Sequence, residues 1–170
     1  VGANIGHYTL ELSRLVGPSG RVIAFEPVFN TFFLLVNNAR HAGYSNLTLI
    51  NAAASDSSSL VGMSTPCFET GLTNYYRASI NADCEECDSL VMSFPIDALK
   101  ISDAISFIKI DAEGHEPAVI RGMQEIIERD KPVIVIETVT DEIRHNLLDV
   151  GYAEECAPGS PNTIFKFKPA

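Results

Sequence analysis

Tryptophan is absent from the 170-residue sequence and basic residues are scarce, with 12 Lys and Arg against 22 Asp and Glu and a formal net charge of −10 at pH 7. No stretch concentrates the basic side chains, so binding to a nucleic-acid backbone is not expected. Long apolar runs are lacking too. None approaches the roughly 20 residues that a membrane-spanning helix needs, and no basic stretch followed by an apolar one stands at the start. Nothing addresses the chain to a membrane, and a cytoplasmic location is expected. Cysteine is limited to Cys67, Cys84, Cys87 and Cys156. The one C-x-x-C, "CEEC", has no second pair to complete a zinc ribbon or finger, and its acidic neighbours raise thiol pKa values rather than activate them. Loop thiols are expected there, and no bound metal.

What is present is enough for a core. Hydrophobic residues make up 46% of the chain, and the length is that of one domain. Val1 reads as the end of a strand, so the expectation is a single domain over 1–170 that lacks most of its first strand. Ile5, Tyr8, Leu12, Leu15 and Val16 recur at helical spacing until "GPSG" stops the pattern. "RVIAF" is then a short buried strand, Asn30 is placed to cap a helix running to about Ala42, and "LTLIN" is the next strand. Alternating strands and helices argue for a parallel sheet with crossover helices.

From 55 to 90 turn formers dominate, and the reading is an irregular insertion with short strands near 60–64 and 89–94. Phe68 and the "TGLTNYY" stretch offer aromatics and hydroxyls to a substrate there. Regularity returns with strand "ISFIKID", a helix opening at Pro117 that buries Val119, Ile120, Met123, Ile126 and Ile127, and strand "PVIVIE". A helix from about Asp141 to Asp149 follows, then two strands at 152–156 and 163–168 joined closely enough for an antiparallel hairpin.

The opening residues, "VGANIGHYTLELS", hold the first chemical signal. The dinucleotide fingerprint wants glycine at relative positions 1, 3 and 6; here those are Gly2, Asn4 and His7, and the pattern is instead G-x-N-x-G. Gly2 permits a tight turn close to a ligand, and Asn4 is among the few other residues that tolerate positive φ. Glu26 follows the next strand, where a carboxylate can accept hydrogen bonds from the hydroxyls of a ribose. Turn plus acid point to an adenosine-type cofactor. A structural glycine turn with a solvated Glu26 is the plainer alternative.

"VGANIGHYTL", "RVIAFEP", "NAAASD" and "FIKIDAEGHEPAVIRGM" together resemble the successive motifs of the FkbM-type methyltransferases, a branch of the class I S-adenosylmethionine-dependent enzymes. The resemblance covers essentially the whole chain. It implies an α/β fold with a Rossmann-like seven-stranded, mostly parallel sheet, helices on both faces and an antiparallel C-terminal hairpin. It also implies S-adenosyl-L-methionine as cofactor. By position, Gly2, Ala3, Asn4 and Gly6 would wrap its amino-acid part, Glu26 with Pro27 its ribose, and Asn51, Ala52 and Ala53 the neighbourhood of the adenine. The implied reaction is O-methylation of a hydroxyl on a small molecule or sugar, with no nucleic-acid or membrane partner.

Methyl transfer from a sulfonium is an in-line displacement, so the protein contributes positioning and at most one general base. "KIDAEGHE" gathers Asp111, Glu113, His115 and Glu116 within six residues, with Lys109 in the strand. Asp111 lies where the resemblance places the cofactor's methyl end, as a base, an orienting acceptor or a contact to the cofactor amine. Glu113 and His115 are the other catalytic candidates, since an unperturbed histidine titrates near pKa 6.5. Glu116 can serve simply to complement a helix N-terminus, and Lys109 to pair with Glu137. Asp111, Glu113 and Glu137 form an alternative carboxylate set for a divalent cation. A nicotinamide-dependent oxidoreductase and a non-catalytic interaction module are the rival readings.

Overall fold

The computed structural model describes residues 1–66, 70, 78–81, 87–156 and 159–169. The chain divides into two compact units, one of residues 1–53 and 59–93, the other of 54–58 and 94–170.

In the first unit, α1 (His7–Val16) leads to β1 (Val22–Phe25), α2 (Phe29–Ala42) and β2 (Leu47–Ile50). The two apolar strands pair in parallel, from Val22 opposite Leu47 to Phe25 opposite Ile50. Asn46 closes the end of α1: its side-chain amide donates to the carbonyls of Ser13 at 3.1 Å and Gly17 at 2.8 Å, satisfying acceptors that the helix leaves open. The apolar periodicity finds α1 but not its inner face. Thr9 and Ser13 are buried, while Tyr8, Leu15 and Val16 are exposed. For α2 the cap residue is Val28 rather than Asn30, and Thr31, Leu35 and Ala39 face inward.

β3 (Ala53–Ala54), β4 (Ser59–Ser64), β5 (Ser79–Asn81) and β6 (Ser89–Phe94) form a second sheet in the order β3-β6-β4-β5. Both partners of β4 run antiparallel to it, and β4 and β6 occupy the stretches where short strands were expected. Phe68, most of the "TGLTNYY" stretch, Cys67 and Cys84 lie outside the described residues. Neither Cys87 nor Cys156 forms a disulfide.

The second unit holds β7 (Phe107–Ile110), α3 (Glu116–Arg121), α4 (Gln124–Asp130), β8 (Val133–Ile136), α5 (Asp141–Val150), β9 (Tyr152–Cys156) and β10 (Thr163–Phe167). Its sheet runs β7-β8-β10-β9. β7 and β8 are parallel, and β10 lies antiparallel to both β8 and β9, so the terminal hairpin is present. Ile110, Ile134, Ile136 and Phe165 are fully buried in this sheet, with Val119, Ile127 and Leu147 of the helices equally enclosed. Apolar runs buried this way are what a strand between partners requires.

The single seven-stranded, mostly parallel Rossmann-like sheet expected from the sequence does not form. The described strands fall into sheets of two, four and four, with parallel pairing at β1–β2 and β7–β8. The reason lies after β2. A parallel continuation needs a crossover, usually a helix, whereas antiparallel strands join by direct returns. β4 instead pairs antiparallel with both β5 and β6, in a sheet separate from β1 and β2.

The helix expected to run on from Pro117 is broken between α3 and α4. Gly122 lies against the Ser55 carbonyl, where a Cβ would come within 1.9 Å of the oxygen. Its own carbonyl accepts from the Asp97 N–H at 3.0 Å. Asp97 then caps α4 from outside, its carboxylate accepting from the N–H groups of Glu125 at 2.9 Å and Ile126 at 3.2 Å. α5 has a conventional cap, with the Thr140 hydroxyl accepting from the Ile143 N–H at 3.3 Å. Thr140→Ala is expected to lower stability by about 1 kcal/mol, read as an earlier urea midpoint with an unchanged slope.

Candidate functional site

The opening turn is built around one buried carboxylate. Glu26, 6% exposed, follows β1 and is fixed there by its own N–H, which donates to the Ile50 carbonyl at 3.1 Å. One carboxylate oxygen accepts from the Asn4 N–H at 2.8 Å and the other from the Val28 N–H at 2.9 Å. The Ala3 N–H donates to the Phe25 carbonyl at 2.9 Å, laying the turn along the end of β1. Gly2, Asn4 and Gly6 all have positive φ, at 72°, 48° and 103°. At Gly6 a Cβ would also meet Leu35 at 2.7 Å, so glycine is required there twice over. Burial raises the Glu26 pKa, against the lowering by its two backbone donors.

Asn51 braces the same corner. Its side-chain amide donates to the carbonyls of Glu26 at 2.8 Å and Pro27 at 3.0 Å, and Ala52 and Ala53 behind it are buried. Gly6 starts α1 without a side-chain cap and no acid stands in the first helical turn. That helix end therefore keeps unneutralised positive character, suited to a carboxylate. A carboxylate offers about four lone-pair sites, and the two backbone donors leave Glu26 acceptor capacity for hydroxyl groups. The donor and acceptor set fits an amino-acid nucleoside such as S-adenosylmethionine.

In the second unit, Asp111 and Glu137 each follow the paired strand ends Ile110 and Ile136, and the Glu137 N–H donates to the Ile110 carbonyl at 3.3 Å. The two carboxyl groups share a hydrogen bond, which holds the Glu137 pKa up; burial and the Asp111 charge add to this and Lys109 opposes it. Lys109, expected to pair with Glu137, places its ammonium 3.2 Å from Asp111 with only 10% of its side chain exposed. Glu113 is exposed at φ 48°. Glu116 heads α3 and is 1% exposed, with one oxygen accepting from the Ala112 N–H at 3.1 Å. Among the described residues no three His, Cys, Asp or Glu side chains gather as a metal site, so Asp111, Glu113 and Glu137 do not form one.

His115 leads into a network that sequence reading missed. Its Nε2 is 3.0 Å from the Ser55 hydroxyl. Asp56 beside it is gripped by Arg121, whose Nε donates to Oδ2 at 2.9 Å, and Arg121 also bonds Glu142. Ser55 and Asp56 close the "NAAASD" stretch, so the signal was present but carried no spacing rule to join it to His115. His7 and Tyr8 meet edge to face, 5.3 Å between centroids, and both are exposed, as are His41 and His145.

Among solved structures, the chain shares its fold with three methyltransferases. A methyltransferase FkbM from Methylobacillus flagellatus KT is 22% identical, with a TM-score of 0.62 over 98% of this chain and 42% of that one. A protein described as an rRNA methylase from Clostridium thermocellum is 12% identical, with a TM-score of 0.57 over 99% of this chain and 84% of that one. A precorrin-6y C5,15-methyltransferase from Geobacter metallireducens GS-15 is 17% identical, with a TM-score of 0.54 over 97% of this chain and 75% of that one. The chain belongs to the methyltransferase FkbM domain family, whose sequence profile matches residues 1–153. It spans less than half the length of the Methylobacillus protein. No curated protein matches it significantly. No described helix is long and apolar enough to cross a membrane.

Proposed function

We propose that this chain is the catalytic domain of an S-adenosyl-L-methionine-dependent O-methyltransferase whose acceptor is a hydroxyl of a small molecule or sugar. The observation that carries the reading is the glycine turn locked by Glu26 at the uncapped start of α1, in a chain of the FkbM family. When bound, the cofactor supplies a methyl group on a sulfonium. The protein's part is to hold and orient. Gly2, Ala3, Asn4 and Gly6 would hold the amino-acid end, the first N–H groups of α1 favouring its carboxylate. Glu26, with Pro27 fixing the chain beyond it, would accept from the ribose hydroxyls, and Asn51, Ala52 and Ala53 would border the base.

Asp111, Glu113 and His115 are the residues assigned to the acceptor's side of the reaction. Asp111, 3.2 Å from the Lys109 ammonium, would accept a hydrogen bond from the hydroxyl or the cofactor amine. Glu113 adds negative charge at the same turn. A net charge of −10 disfavours a phosphate-rich acceptor, which supports a small molecule or sugar over RNA. Isothermal titration of the folded chain with S-adenosylmethionine, S-adenosylhomocysteine and NADH tests the reading. Both sulfur nucleotides are expected to bind and NADH is not; the reverse order would move the assignment to an oxidoreductase.

A further inference from the structure

We propose that Ser55 is a positioning residue for methyl transfer: it fixes His115 as the Nε2–H tautomer and leaves Nδ1 to take the proton of the acceptor hydroxyl. The inference rests on the methyltransferase reading and adds to it a residue and an atom.

Ser55 is built in rather than incidental. It is 4% exposed, its N–H donates to the Phe94 carbonyl at 3.1 Å, and its carbonyl is wedged against Gly122. The hydroxyl therefore stands at a fixed point, 3.0 Å from His115 Nε2 and 3.4 Å from Asp56 Oδ1. It has one proton for two neighbours. Arg121 keeps Asp56 ionised: its hydrogen bond is the chief cause holding that carboxyl below its ordinary pKa. A carboxylate can only accept, and a charged acceptor draws the proton ahead of a neutral ring nitrogen. With the serine proton turned to Asp56, the oxygen's lone pair accepts from Nε2–H. The second ring nitrogen then carries the lone pair, and among the described residues Nδ1 has no hydrogen-bond partner.

The charged groups acting on the ring are Asp56, Glu116 and Arg121. Burial is the largest influence and lowers the His115 pKa, with Asp56 and Glu116 opposing and Arg121 assisting. The ring is therefore neutral, and able to accept a proton, at neutral pH. In the transfer step the acceptor O–H bond breaks and its proton passes to Nδ1. The oxygen's electron pair forms the bond to the methyl carbon, and the carbon–sulfur pair stays on sulfur. The products are a methyl ether, a neutral thioether and an imidazolium that later releases its proton to water.

The test is two-bond 1H–15N correlation spectroscopy of the labelled full chain, with His115 assigned by comparison with His115→Gln. An Nε2–H pattern at pH 7.5 or so, above the unperturbed histidine range, is expected in the parent and should be lost or mixed in Ser55→Ala. An Nδ1–H pattern in the parent, or an unchanged pattern in Ser55→Ala, would overturn the proposal. In assays with S-adenosylmethionine and a panel of hydroxyl acceptors, Ser55→Ala should lower kcat about tenfold, move the acid limb of its pH profile and leave the cofactor KM unchanged. Nε2–H with no methyl transfer would overturn the transferase reading and with it the role of Nδ1. Methyl transfer with Nδ1–H would overturn the Ser55 assignment alone.

Discussion

Gly122→Ala is expected to destabilise the protein by about 3 kcal/mol or more, the upper end of what overpacking a fixed site costs. The added Cβ would fall 1.9 Å from the Ser55 carbonyl oxygen and 3.2 Å from the Pro95 Cα. Both obstacles are backbone, so no side chain can rotate away. The only relief is to push the α3–α4 junction off the Ser55 backbone, and that junction is tied down. The Gly122 carbonyl holds the Asp97 N–H, and the Asp97 carboxylate caps α4. A shift therefore loosens three hydrogen bonds as well as the packing. Of a stability that is about 5–15 kcal/mol for ordinary proteins, this is a large share. Urea denaturation followed by circular dichroism measures it. A loss below about 0.5 kcal/mol, the size of an ordinary surface change, would mean that the junction and Ser55 do not approach this closely. Gly159→Ala is the useful comparison: its φ is positive, at 72°, whereas that of Gly122 is −80°, and nothing lies within 4 Å of the added carbon, so it shows backbone strain without the packing clash.

The same glycine shows where sequence reading reached its limit. "EPAVIRGMQEIIERD" reads as one amphipathic helix because Val119, Ile120, Met123, Ile126 and Ile127 hold their spacing across Gly122, and all five are indeed buried. Periodicity reports which residues turn inward. It does not report that Ser55, 67 positions earlier in the sequence, needs room for its carbonyl. α1 fails in the opposite way: its apolar spacing is helical, yet Thr9 and Ser13 are the residues enclosed, since small side chains suit a close approach of helix to strand.

Strands β1, β2, β7 and β8 were legible because each is a short apolar run between turn formers. The way strands assemble into sheets was not, because pairing from β3 to β6 depends on returns of the chain that a local pattern does not encode. The candidate site divides along the same line. Gly2, Asn4, Gly6 and Glu26 were legible, since left-handed backbone and a strand-end acid restrict residue type strongly. The Ser55–His115 contact joins residues whose types are common anywhere on a protein.

Glu26→Ala should lower affinity for S-adenosylmethionine at least a hundredfold, about 2.7 kcal/mol. Two losses combine. The carboxylate would no longer accept from ribose hydroxyls, where hydrogen bonds to a charged group contribute about 1.5–3 kcal/mol. The turn itself would also lose its clamp, because the Asn4 and Val28 N–H groups would be left without the acceptors they now have. The structure thus adds a structural role to the one suggested by the sequence, and the two are separable. Glu26→Gln keeps an amide oxygen that can accept from one of the two N–H groups, while its NH2 cannot replace the second acceptor. It should recover part of the stability lost in Glu26→Ala and little of the affinity.

The pH dependence supplies an independent reading of the same carboxylate. Its pKa is raised in the folded chain by burial, so between the unfolded and folded values the native state binds more protons than the unfolded state. Native-state stability from this group then falls as pH rises through that window, and the parent should lose more than Glu26→Ala over it. Calorimetric titration of the three proteins with the cofactor, paired with urea midpoints across that pH range, measures both roles. Unchanged affinity in Glu26→Ala, with the fold intact, would remove Glu26 from the cofactor site and leave it only as the lock on the opening turn.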